Sequence, residues 1–287
     1  MSARLPIGIF DSGVGGLTVL RAIHDRLPGE ELLYLGDTAR LPYGTKSPES
    51  VQRYALHAAE YLVQRGIKLL VVACNTASAL ALETLRARLA PLPVIGVVEP
   101  GAAAAVALSD AHRYVVLATE ATTQHQAYTR AIRSLDPAAR VEELACSLFV
   151  ALAEEGWHSG PIADSVAEQY LGKIRDRVAG ERPDAAILGC THFPLLSASI
   201  ANALGPEITI IDSATTTAAA VAAELGRLGL AAPNSGEQER VNLIATDGAA
   251  RFARVGSSFL GRQFTAADIE LIDIHPSDLD AAATPRG

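Results

Sequence analysis

A chain of 287 residues, 49% hydrophobic and 20% charged, is long enough for two ordinary domains and apolar enough to bury a large core, which excludes wholesale disorder. Its 32 acidic and 24 basic residues leave a formal charge of −8, and no Lys/Arg block stands out, so nucleic acid is not an expected partner. No uninterrupted apolar window reaches bilayer length, and the opening Met1-Ser2-Ala3-Arg4-Leu5-Pro6 carries no apolar leader core, so the expectation is a cytoplasmic protein with no membrane partner.

Short apolar runs alternate with amphipathic segments. In chain order, strands are expected over Ile7–Asp11, Leu32–Gly36, Leu69–Ala73, Val94–Val98, Tyr114–Ala118, Val141–Ala145, Ala185–Gly189, Ile208–Ile211, Val241–Ala245 and Ile269–Ile274. Most are continuous apolar runs, the pattern of parallel strands covered on both faces. Ser47-Pro48 opens a helix as cap and first residue; Val51, Tyr54, Ala55, Ala58 and Leu62 recur at helical spacing, and Gly66 closes it. A second helix is expected from about Ser78, with Leu82, Leu85 and Leu89 on one face and Pro91 as its stop. The βαβα order predicts an α/β fold with mainly parallel sheets. The polar segment from His275 to Gly287 is expected to be a loose tail.

The chain also matches itself. Leu69-Leu70-Val71-Val72-Ala73-Cys74-Asn75-Thr76 parallels Ala185-Ala186-Ile187-Leu188-Gly189-Cys190-Thr191-His192, and more weakly Ile7–Ser12 parallels Val115–Thr119. Two similar α/β lobes account for such a pattern. In parallel α/β sheets, ligands bind beyond the carboxyl ends of strands, and both Cys74 and Cys190 fall there. Each would lie beside a helix N-terminus, whose amides favour a thiolate. A cysteine at one strand end is commonly packing, and Cys146 is read that way; two at matched positions suggest a shared role. Three widely spaced cysteines argue against a disulfide framework and a zinc site. The only lysines, Lys46, Lys68 and Lys173, sit in no motif suited to a Schiff base, so neither metal nor cofactor is expected.

Two opposed thiols suit inversion at carbon. One group removes a proton from one face, the other returns a proton to the opposite face, and the roles exchange in the reverse direction. Asp11, ending the first strand, and His192, two residues after Cys190, are candidate tuners. The turn Asp11-Ser12-Gly13-Val14-Gly15-Gly16 is not a dinucleotide fingerprint, because Thr18 replaces the third glycine. It reads either as a plain tight turn or as one whose Ser12 and amides approach an anion. Asn75, Thr76, Thr191 and His192 add neutral donors, and Tyr43, in the Leu41-Pro42-Tyr43-Gly44 turn, could donate another.

Four stretches, Gly8–Leu17, Gly36–Gly44, Ala73–Ser78 and Gly189–Leu195, closely resemble bacterial glutamate racemases, and the resemblance runs from about Ile7 to Ile274. It implies a cofactor-independent enzyme supplying D-glutamate for peptidoglycan, built from two pseudo-symmetric α/β domains with the active site in the cleft between them. One domain would hold residues 1–98 plus 212–287 and the other 99–211. By motif match, Cys74 would act on the D-enantiomer with Asp11 in support, and Cys190 on the L-enantiomer with His192. Ser12, Tyr43, Gly44, Asn75, Thr76 and Thr191, with Asp11 and His192, match substrate-contacting positions. A further catalytic glutamate aligns with Glu154, with Glu155 adjacent; here Ser147 stands where the family usually has proline. The family commonly dimerises, so a homodimer is implied. Aspartate racemases of the same superfamily tend to carry Glu where this chain has His192, which favours glutamate. A silent amino-acid-binding protein and a thiol redox protein are the readings from other classes; the second needs the two sulfurs close enough to bond.

Overall fold

The computed structural model describes residues 2–108, 112–175, 182–233 and 240–274; the tail expected from His275 lies outside them. In chain order come β1 (Ile7–Asp11), α1 (Leu17–Arg26), β2 (Leu32–Gly36), α2 (Pro48–Gln64), β3 (Leu69–Val72), α3 (Asn75–Leu89) and β4 (Val94–Gly96). There follow α4 (Val98–Leu108), β5 (Arg113–Ala118), α5 (Glu120–Gln124), α6 (Ala127–Leu135), β6 (Arg140–Ala145), α7 (Ser147–Glu154), α8 (Pro161–Arg175), β7 (Ala185–Gly189), α9 (Ser197–Leu204) and β8 (Thr209–Asp212). The chain closes with α10 (Ser213–Leu228), β9 (Val241–Ala245), α11 (Ala249–Leu260) and β10 (Ile269–Leu271).

The strands form two sheets, in the orders β10-β9-β2-β1-β3-β4 and β6-β5-β7-β8, and every pairing is parallel. The expected α/β class with two parallel sheets is what the chain adopts. Side-chain alternation assigns each strand to two cores. Ile7 and Ile9 of β1 and Leu69 and Val71 of β3 join Val115 and Leu117 of β5 in one cluster that runs across both sheets. Phe10, Leu70 and Val72 pack on the outer face of the first sheet, and Tyr114 and Val116 on that of the second. Helix α10 packs against both α1 and α4, linking the two layers.

Local signals account for the element ends. Ser47 Oγ accepts the Ser50 N–H, and Pro48 takes the first helical position of α2, where its missing N–H costs nothing. Helix α3 starts at Asn75, three residues before the expected Ser78, because Cys74 caps it. The expected strand Val94–Val98 stops at Gly96 because α4 begins at Val98.

At the amino end of the first sheet, Lys68 is fully buried and donates to Glu30 Oε2 (2.5 Å), Ala3 O (2.6 Å) and Leu230 O (2.9 Å). Glu30 Oε1 accepts the Ala232 N–H at 2.7 Å. One ammonium thus ties together the start of the chain, the α1–β2 loop and the segment after α10. Breaking a buried pair leaves an uncompensated charge, which costs about 3–5 kcal/mol. Lys68→Met should therefore lower the urea midpoint by that much in free energy, measured by equilibrium unfolding, whereas Lys46→Met should leave it unchanged.

Candidate active site

The carboxyl ends of β1, β3 and β7 carry Asp11, Cys74 and Cys190. Asp11 is buried, and its Oδ2 accepts the Gly13 N–H at 2.9 Å. Burial raises its pKa above the ordinary carboxylate value, although the charge of His192 and the amides of Gly13, Gly16 and Ser12 pull the other way. Its Oδ1 is buried and meets no donor in hydrogen-bonding geometry. The glycines of the following turn have a steric reason. A Cβ on Gly16 would stand 2.6 Å from Asp11 Cβ, and one on Gly15 would overlap Thr191 Oγ1 and come within 2.6 Å of His192 Nδ1. The loop after β7 thus packs directly onto the turn at Gly15, and Asp11 itself crowds Gly16; Thr18 Oγ1 adds a bond to Thr191 O at 3.1 Å.

Cys74 caps α3. Its sulfur accepts the Ala77 N–H at 3.4 Å, and its thiol donates to Ser12 Oγ at 3.6 Å. The helix-start amide expected to favour a thiolate is present but outweighed. Burial, with the charge of Asp11, pushes the Cys74 thiol up to about 12. Asp11 thus acts on Cys74 through its field, while Ser12 is the side chain in contact.

Cys190 departs from the expected helix N-terminus. A 3₁₀ turn, Phe193–Leu196, intervenes, and α9 begins only at Ser197. Its thiol instead faces His192 Nδ1 at 3.8 Å. His192 Nε2 meets Glu154 Oε1 at 3.2 Å, and Arg251 Nη2 donates to Glu154 Oε2 at 2.7 Å. Of the adjacent glutamates, Glu154 is therefore the one at His192; Glu155 caps α7. The Phe259 ring stands edge-on to the imidazole at 5.0 Å. Burial alone would lower the pKa of His192, but its bonds with Cys190 and Glu154, and the charges of Cys190 and Asp11, raise it to about 10. The bond to His192 correspondingly holds Glu154 below its ordinary value.

The neutral donors collect between the two layers. Thr76 Oγ1 lies 3.0 Å from Thr119 Oγ1 and 3.4 Å from Thr122 Oγ1. Asn75 Oδ1 accepts the Tyr128 hydroxyl proton at 2.7 Å, leaving Asn75 Nδ2 buried without a partner. A Cβ on Gly44 would come 3.1 Å from Thr119 Cβ, so the Tyr43–Gly44 turn abuts the second layer. The Tyr43 hydroxyl is occupied, donating to Asp37 Oδ2 at 2.5 Å. Cys146 is fully buried in the core, and burial pushes its thiol up to about 12; all three cysteines are free. Sequence reasoning missed Thr119, Thr122, Arg251 and Phe259. The match of Val115–Thr119 to Ile7–Ser12 placed Thr119 at a strand end without marking its hydroxyl. Nothing local distinguishes Arg251 from other helical arginines.

Among the described residues, no cluster of three or more His, Cys, Asp or Glu side chains is arranged to hold a metal, and no helix is long and apolar enough to cross a membrane. Two parallel α/β layers that bring buried thiols, a carboxyl group and a charged imidazole to one seam define an acid–base enzyme of the α/β class. The chain belongs to the Asp/Glu/Hydantoin racemase family, whose pattern matches residues 7–221. It is 51% identical, over 89% of its length and 92% of the relative's, to the glutamate racemase of Geobacter metallireducens. Its fold is similar to the crystal structure of a glutamate racemase isoform from Bacillus anthracis, with a TM-score of 0.88 at 35% identity, covering 95% of this chain and 98% of that one. It is also similar to the glutamate racemase of Francisella tularensis in complex with D-glutamate, with a TM-score of 0.85 at 34% identity and the same coverages.

The His192 geometry sets a sign. A folded-state value of about 10 against an ordinary 6.5 means that its contribution to stability is complete below pH 6.5, and is lost as the pH rises through 10. The His192 Cε1–H resonance, assigned by its loss in His192→Asn, should titrate near 10. In Glu154→Gln, which loses a charge-assisted bond, the midpoint should move to lower pH.

Proposed function

We propose that this protein interconverts L- and D-glutamate by moving a proton at Cα between Cys190 and Cys74, supplying D-glutamate for peptidoglycan. The observation that carries the reading is the pair of thiols at corresponding strand ends of two parallel layers, meeting at one buried seam, each with different proton-handling neighbours. In the L-to-D direction the Cys190 thiolate takes the Cα proton while the His192 imidazolium stays charged beside it, and the Cys74 thiol gives its proton to the opposite face. The reverse direction exchanges the roles. Both proton transfers are assigned to side chains of the protein, so the reading invokes no cofactor or metal.

Asp11 and the hydroxyls and amides of Ser12, Asn75, Thr76 and Thr191 are the groups read as holding substrate, joined by Thr119 and Thr122. Two buried polar atoms without partners, Asp11 Oδ1 and Asn75 Nδ2, support this. Each costs about 1–3 kcal/mol while unsatisfied, and an ammonium and a carboxylate are the complementary groups. Tyr43, its hydroxyl held by Asp37, contributes by fixing the adjacent Gly44. Glu154 serves through His192.

The same reading divides the chain into lobes of 1–98 plus 212–287 and 99–211. Support comes from β1–β4, β9 and β10 sharing one sheet and β5–β8 the other. Its homodimer rests on the family resemblance, and its cytoplasmic setting on the expectation drawn from the sequence.

Purified protein incubated with L-glutamate in heavy water, without added pyridoxal phosphate, should yield D-glutamate with solvent deuterium at Cα. Strict dependence on an added cofactor would sink the proposal. Enantiomers have equal free energies, so kcat/KM must be equal in the two directions. Cys74→Ala and Cys190→Ala should each lower it about 10²–10⁴-fold from both enantiomers, and near-normal turnover in either variant would refute the pairing.

A further inference from the structure

We propose that Arg251 is a positioning residue that holds Glu154 against His192 and makes that contact depend on closure of the two layers. The inference rests on the proposed racemisation for its kinetic consequences and on geometry for everything else.

Glu154 ends α7, in the layer of the second sheet, whereas Arg251 lies on α11, which packs against α1 and β10 of the first. Each carboxylate oxygen of Glu154 has one use. Oε1 faces His192 Nε2 at 3.2 Å and Oε2 accepts from Arg251 Nη2 at 2.7 Å. With both oxygens engaged, the plane of the carboxylate is set. The α11 residues Arg251, Val255 and Phe259 recur every four positions, which puts them on one helical face. Phe259 touches the imidazole directly, and Arg251 reaches it through Glu154. Helix α11 therefore grips the His192 side chain from the first layer at two points, although His192 and Glu154 both belong to the second.

The Arg251 side chain is 55% exposed and that of Glu154 20%. A pair so open to water contributes little to stability, so orientation is its main consequence. The pair lines a crevice of about 190 Å³ together with Val14, Leu41, Asp247 and Phe252, at the seam that must part if substrate is to reach Asp11, Cys74 and Cys190, all nearly excluded from solvent. Parting the seam would remove Arg251 from Glu154. That frees the carboxylate to turn toward water and takes from His192 one of the bonds that keep it charged. On closure, the same contact restores the imidazolium beside Cys190. The charged and titratable groups around the imidazole are Glu154 from α7, Cys190 from its own segment and Asp11 from β1, with Arg251 of α11 beyond Glu154.

The test is Arg251→Gln, compared with Arg251→Lys, read by the His192 Cε1–H titration and by kcat/KM against pH from both enantiomers. The sign discriminates. If Arg251 acts only as a nearby positive charge, removing it makes His192 easier to protonate and the midpoint rises. If it positions Glu154, the carboxylate turns away and the midpoint falls. We expect a fall, a loss of about 10-fold in kcat/KM from both enantiomers, as for a misplaced catalytic group, and substantial recovery in Arg251→Lys. A rise, or no change, in the midpoint would overturn the proposal, as would an undiminished kcat/KM. The titration needs no turnover. Should the unaltered protein fail to racemise glutamate, that reading falls while the His192 midpoint still decides the role of Arg251.

Discussion

Desolvation is the constraint around which this site is organised. Asp11, Cys74 and His192 are almost wholly removed from water, and each is thereby pressed toward its neutral form. For Asp11 and Cys74 nothing nearby reverses the pressure: both are raised, and the field of Asp11 adds to the elevation of Cys74. His192 is the exception, because Glu154 and Cys190 bond to it. The two thiols therefore sit in unlike surroundings, one capped by a hydroxyl and a helix amide, the other facing an imidazolium. Under the proposed proton exchange the two thiols need no identical partners, only that one hold its proton while the other has lost it.

The same burial explains the glycines and threonines that line the seam. Backbone and side chains from the two layers approach too closely for anything larger at Gly15, where a Cβ would strike the loop after β7. Between Thr76, Thr119 and Thr122, hydroxyl groups meet across the layers and satisfy one another. Small polar groups that pair among themselves can also pair with a ligand, because a hydroxyl rotates to donate or accept without moving its chain. This lets a site recognise anionic groups without a fixed guanidinium clamp.

Lysine serves an anchoring role in this fold. Lys68 is buried, but its ammonium is spent on Glu30 and two carbonyls at the amino end of the first sheet, whereas Asp11 and Cys74 sit at the carboxyl end. Opposite ends of the same parallel strands thus do different work: one anchors segments distant in sequence, and the other presents reactive groups. Strand polarity separates them, since all strands of a parallel sheet end on the same side.

Much of the frame was legible in the residues themselves. Continuous apolar runs marked the strands, with β1, β2, β7 and β9 spanning the expected residues, because strands covered on both faces carry a signal confined to a few neighbours. Ser47-Pro48 marked a helix start for an equally local reason. Cys74, Cys190 and their matched settings were visible as a repeat. The environment of each thiol was not. That Cys74 is raised, that a 3₁₀ turn separates Cys190 from α9, and that Glu154 rather than Glu155 meets His192 all depend on which groups are buried together. Arg251 is the clearest case: 97 residues separate it from Glu154, and its helix belongs to the other layer. Periodicity reports what neighbours along the chain share, whereas a proton's affinity is set by whatever charge, dipole or water stands within a few ångströms, and the packing of the two layers alone decides that.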